Sequence, residues 1–256
     1  MVSRPMPAAQ PAPNTQSWNG ESRCNLVAQN DRFDSLIQQA GYKDPASKFN
    51  TVEYDPKANS VTITGTDGPD DVHFQEVSSG PSETSLVVTL NGKDYPLSGD
   101  VMKNGFVHVN TGPGNDMVTY LSSELLGPTR WGDGQAQMCI DLGPDGTNHA
   151  NVPPAKSVTL FGGEGRDTVV GAPGGRFFLG GGPDEYDNSA ASRLTDAPPS
   201  QVWGGEGPDV VVEPAHGKRA QFADFDAREG DQVVSASSLK PRFKGPFDFG
   251  LHFDPK

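Results

Sequence analysis

The feature that most limits what this chain can become is a turn that recurs. GTDGPDDV at 65–72, TGPGNDMV at 111–118, GGEGRDTV at 162–169 and GGEGPDVV at 204–211 share glycine at the fourth position, aspartate at the sixth and valine at the eighth. LGGGPDEY at 179–186 fits with Tyr186 in the apolar place, and GPDGTNHA at 143–150 is a weaker copy with Asn148 where aspartate is expected. Gly and Asp are good turn residues anywhere, but chance turn chemistry does not return them to the same two places copy after copy. The 31 Gly and 23 Pro of the 256 residues also favour an architecture of many turns over a helical bundle.

Between the turns the period is two. VTIT at 61–64, LVVTL at 86–90, FVHV at 106–109, MVTYL at 117–121 and VTLF at 158–161 are β-branched runs bounded by Gly, Asp, Asn and Pro, which predicts strands. One amphipathic helix is expected near the N-terminus. Asp31 is a suitable N-cap, Phe33, Leu36, Ile37 and Ala40 fall on one face, and Gly41 stands where a helix C′ residue would. No second helix of that quality follows, which argues against an alternating α/β sheet. The expected fold is all-β, a parallel β-solenoid of the β-roll or β-helix kind, with the short N-terminal helix capping its open end.

Each repeated position suits one task. Glycine permits φ > 0 and close approach of neighbouring turns. The turn carbonyls together with the sixth-position carboxylate offer the hard oxygen ligands that calcium takes in sixes to eights. The apolar residue two places later enters the strand and faces the core.

The pattern resembles the G-G-x-G-x-D-x-U-x nonapeptide of calcium-binding repeats-in-toxin (RTX) proteins. In that family two nonapeptides make one coil of about 18 residues and each ion lies between turns of successive coils. Gly162 and Gly180 are 18 positions apart, and between them GAPGGRFFL, from Gly171, is a degenerate copy with Arg176 at the sixth place. One edge is therefore expected to take metal and the opposite edge not, so that few ions bind. FADFDAREGDQVVSASSL at 222–239 is similar to the segment that closes many RTX domains, with Asp224, Asp226 and Asp231 as last ligands. The resemblance implies Ca2+ held by Asp70, Asp116, Gly162, Glu164, Asp167, Gly180, Gly182, Asp184, Gly204, Glu206, Asp209 and Asp231. It covers 160–239 well and 60–150 loosely.

These readings divide the chain into a disordered leader at 1–22, a helical cap at 23–50, an irregular solenoid half at 51–150, the RTX-like repeats at 151–240 and a tail at 241–256. Thirty-three acidic against 20 basic side chains give a net charge of −13, which repels a phosphate backbone and makes cations the natural complement. Cys24 and Cys139 exclude a disulfide framework and leave a single bridge open, with Cys139 read as a small apolar strand residue. The N-terminus lacks the apolar core of a cleavable secretory signal, and no run approaches the roughly 18 apolar residues that span a bilayer.

The expectation is a secreted, calcium-folded interaction, adhesion or effector module of bacterial type, exported without a cleavable signal. Its long flat faces suit a protein or polysaccharide at a host or cell surface. The competing class is a polysaccharide lyase or epimerase on a β-helix. For an enzyme the residues give little: His73, His108, His149, His216 and His252 fall in no metal-ligand spacing, and G-x-S-x-G and H-E-x-x-H are absent. A pair of carboxylates brought together by folding is not legible at this stage.

Overall fold

The computed structural model describes residues 23–24, 50–78, 84–97, 101, 104–121, 137–152, 158–171, 174–189 and 198–238. The leader, the expected helix at 31–41 and the tail lie outside these residues.

Among the described residues, eighteen strands follow one another. The first seven are β1 (Thr51–Asp55), β2 (Ser60–Thr64), β3 (Asp71–Ser78), β4 (Thr84–Leu90), β5 (Lys93–Leu97), β6 (Phe106–Asn110) and β7 (Met117–Leu121). Then come β8 (Gln137–Asp141), β9 (Asp145–Gly146), β10 (His149–Asn151), β11 (Val158–Gly165), β12 (Thr168–Val170), β13 (Arg176–Gly181) and β14 (Glu185–Asp187). The last are β15 (Gln201–Glu206), β16 (Val210–Glu213), β17 (Gln221–Phe222) and β18 (Gln232–Ser235), followed by a 3-10 turn at Ala236–Ser238. The strand runs expected from the β-branched pattern all fall within these elements.

The strands form two nine-stranded sheets, and from β6 onward the chain crosses from one sheet to the other at nearly every turn. One sheet runs β1-β2-β6-β8-β11-β13-β15-β17, with β9 beside β11; the other runs β18-β16-β14-β12-β10-β7-β3-β4-β5. Neighbours along the repeats are parallel and in register: Leu160, Phe177 and Val202 stand opposite one another in the first sheet, and Val169, Tyr186 and Val211 in the second. Those residues point inward and join Val61, Ile63, Val107, Val109, Ile140, Val72, Phe74 and Val118 in one buried cluster between the sheets. Because side chains alternate along a strand, the intervening positions face outward.

Two features depart from an all-parallel expectation. β1 pairs antiparallel with β2, and β3, β4 and β5 form an antiparallel meander at the same end of the molecule. The β4–β5 turn is Asn91-Gly92, with φ of 50° and 78°, the backbone that a two-residue hairpin needs. The repeat is also one residue shorter than the family spacing implies. Gly180 stands opposite Gly163 and not Gly162, and the bond from Asp167 to Asp184 spans 17 positions.

Cys24 and Cys139 form a disulfide that pins the segment before β1 to β8. Cys139 is thus a bridge residue on the outward side of its strand. It lies with Phe106, Phe161, Phe178 and Trp203 in a second buried cluster, in which Phe161, Phe178 and Trp203 stack at ring separations of 5.1 and 4.4 Å. Among the described residues no helix is long and apolar enough to cross a membrane.

Candidate metal centre

The repeated turns lie on one edge, where the chain leaves the first sheet for the second, and they stack in register. Their fourth-position glycines form a row in which a Cβ on Gly114, Gly146, Gly165, Gly182 or Gly207 would run into the carbonyl group of the row neighbour before it. Gly182 and Gly207 also hold φ of 115° and 120°, where an L side chain is strained. The first-position glycine has a different cause. At Gly65, Gly162 and Gly204 a Cβ would collide with the carboxylate of the sixth-position aspartate of the same turn.

The sixth-position side chains make a second row. Asp116 Oδ1 accepts the Asp70 N–H at 2.9 Å, Asn148 Oδ1 that of Asp116 at 2.9 Å, and Asp167 Oδ1 that of Asn148 at 3.0 Å. The series continues with Asp184 Oδ1 on the Asp167 N–H at 2.7 Å, Asp209 Oδ1 on that of Asp184 at 3.0 Å, and Asp231 Oδ1 on that of Asp209 at 3.0 Å. Every turn thus caps its predecessor through one carboxylate or amide oxygen, and Asn148 serves because only an acceptor is needed there. All seven side chains are buried.

The second carboxylate oxygens are treated unequally. Asp70 Oδ2 accepts the Thr66 N–H at 2.6 Å, Asp167 Oδ2 that of Gly163 at 2.7 Å and Asp231 Oδ2 that of Asp226 at 2.8 Å. Asp116, Asp184 and Asp209 are 2%, 2% and 0% exposed, yet their Oδ2 atoms have no hydrogen-bond partner. Burial pushes Asp184 up to about 9, reinforced by the charges of Asp167, Asp209 and Glu164. Burial likewise raises Asp209 to about 7, with Asp231, Asp224 and Glu229 adding to it. Asp116 and Asp167 are each raised to about 6 by burial, and for Asp167 the Arg23 guanidinium and three hydrogen bonds oppose the rise. The row therefore concentrates buried carboxyl groups whose ionisation burial and acidic neighbours oppose, most strongly at Asp184 and Asp209.

The other residues expected as ligands sit as follows. Glu164 and Glu206 are exposed third-position residues; the Glu164 carboxylate lies over Gly181, which pairs with Glu206. Gly182 belongs to the glycine row. Gly180 holds the second position of its turn, beside Gly163 and Gly205. Gly204 lies under the Asp209 carboxylate, and its N–H donates to Asp224 Oδ1 at 2.9 Å. The Gly162 carbonyl accepts from Arg23. Asp226 is drawn outward by a fork to Arg228, whose hydrogen bonds hold it down at about 2. Among the described residues no group of three or more His, Cys, Asp and Glu side chains closes into a cage, so backbone carbonyls would have to complete any ion site.

Sequence reasoning passed over Arg23, Asp141 and Asn91. Asn91 carried a signal, the Asn-Gly dipeptide between two apolar runs. Asp141 is buried and binds Arg23, 118 positions away, a partnership with no local trace. His108 is a core residue whose burial lowers it to about 4. The chain matches no family model, no curated protein and no solved structure.

Proposed function

We propose that the chain is a calcium-binding repeat protein of RTX type, in which the two sheets wind as one β-solenoid and calcium held in the stacked turns drives folding. The observation that carries the reading is the pair of buried, unpartnered Oδ2 atoms on Asp184 and Asp209, set among acidic neighbours in glycine turns rich in carbonyl oxygen. Asp167, Asp184 and Asp209, with carbonyls of their turns, would hold the ion, and its charge would offset the repulsion that otherwise drives these carboxylates toward protonation. Strand-by-strand alternation between parallel sheets supports the solenoid.

The Cys24–Cys139 bridge supports an oxidising setting, in keeping with a secreted protein. Outside a bacterium, calcium is abundant enough for weak extracellular modules, and the acidic chain would become rigid there, presenting its sheet faces as an interaction, adhesion or effector surface. A second reading has its own support: the Oδ1–amide row is complete without any ion, so the turns would be purely structural with Asp184 protonated.

Far-UV circular dichroism of the metal-stripped chain at pH 8 during a calcium titration separates the two. A rise in β signal at or below millimolar calcium, lost in Asp167→Ala with Asp209→Ala, is the expected result. A chain already ordered and indifferent to calcium makes the turns structural.

A further inference from the structure

Arg23 stands in the turn stack as a cation supplied by the chain itself. Its Nη2 donates to Asp141 Oδ1 at 2.6 Å, to the Gly143 carbonyl at 2.5 Å and to the Gly162 carbonyl, while its Nε reaches Asp141 Oδ1 at 3.0 Å. Its backbone N–H meets Asp141 Oδ2 at 2.5 Å, and the guanidinium lies 5.6 Å from the Phe161 ring centre. Gly143 and Gly162 hold the first position of two successive turns, as the pairing of Glu164 with Asp145 fixes. One guanidinium thus gathers a fully buried carboxylate and two carbonyls from neighbouring turns, a set of hard oxygens that also suits a divalent ion completed by water.

The geometry points to a latent cation site formed by Asp141 and the Gly143 and Gly162 carbonyls, which Arg23 fills in place of a divalent ion. Two further observations agree. This interval contains Asn148, the one neutral member of the sixth-position row, so it needs less added positive charge than the intervals beyond it. Both oxygens of Asp167, whose charge the Arg23 guanidinium helps to offset, are hydrogen-bonded, whereas Asp116 on one side of it in the row and Asp184 and Asp209 on the other each keep an unpartnered oxygen. The neighbouring Cys24–Cys139 bridge anchors Arg23, so the guanidinium competes with dissolved ions at the effective concentration of a tethered group.

The inference deepens the calcium reading, and its test keeps the two apart. Isothermal titration of the full oxidised chain with Ca2+ at pH 7.5 is compared for wild type, Arg23→Gln and Arg23→Lys. One more ion per chain in Arg23→Gln than in wild type is expected, with Arg23→Lys matching wild type. Equal stoichiometry of one or more ions in wild type and Arg23→Gln overturns the latent site and leaves the calcium reading standing. No ion in wild type but one in Arg23→Gln upholds the site and overturns that reading, and no ion in either overturns both. Should Arg23→Gln fail to fold, dithiothreitol-reduced wild type, in which the anchor is released and no side chain of the site is altered, is expected to gain the same ion; no gain overturns the proposal.

Discussion

Asp184 carries the sharpest conflict in the molecule: a carboxylate with one oxygen usefully bonded and the other buried with nothing to bind. Asn148 shows that the same place in the row accepts an amide, whose Nδ2 donates to the Asp145 carbonyl at 3.2 Å. Asp184→Asn would therefore keep the Oδ1 bond and remove the cost of protonating a buried carboxyl on folding. In metal-free protein at pH 8 it is expected to stabilise by about 1 kcal/mol, raising the melting midpoint by about 2–4 °C, and to reduce the stabilisation that calcium adds. Thermal melts with and without EDTA check both halves. Gly182→Ala tests the neighbouring row. Its positive φ and the Gly165 carbonyl against which a Cβ would press make a cost of roughly 1–3 kcal/mol from strain alone, in calcium or without it. A midpoint unchanged in urea would show that the turns are not stacked this tightly.

At the scale of elements, the strands and the edge that carries the turns were readable because β-branched alternation and the repeated Gly and Asp are local patterns. The antiparallel pairs were not, since a period of two is the same for parallel and antiparallel strands, and only Asn91-Gly92 distinguished them. The spacing of 17 at Asp184 was hidden by Leu179, which fills the first place of that turn and moved the apparent glycine register by one. The Cys24–Cys139 link joins positions 115 apart, and separation in the chain says nothing of proximity in the fold. That link ties the N-terminal segment to β8 and holds Arg23 over its carbonyls. Cys24→Ser with Cys139→Ser is expected to cost about 2–5 kcal/mol, read from denaturant midpoints. A loss below about 1 kcal/mol would mean that the bridge closes over structure that is already in place.

For the molecule as a whole, the raised carboxylates fix how stability depends on pH. A carboxyl whose folded value lies above its unfolded one binds more protons when folded between those two values, so stability falls as pH rises through that window. For Asp116 and Asp167 the window closes near 6, for Asp209 near 7 and for Asp184 near 9. The metal-stripped chain, with its net charge of −13, should therefore melt lower at pH 8 than at pH 5, by several degrees if a few kcal/mol are involved. Saturating calcium should reduce or reverse that difference, because an ion replaces the protons. Equal midpoints at both pH values in EDTA would mean that water reaches the row.

The antiparallel strands gather at one end only, where β1 and the β3–β5 meander close both sheets, and β5 shows an edge blunted by Lys93, Asp94 and Pro96. At the other end β17 and β18 are short, and Val233 and Phe225 are exposed. Hairpins form from near neighbours in microseconds, while each parallel pair must wait for a whole circuit of chain. The expectation is a beginning in time as well as in sequence, with the N-terminal hairpins as the first template on which later strands are laid. Pulse-labelled hydrogen exchange should find β2–β7 protected before β14–β18, in the order in which a ribosome releases them.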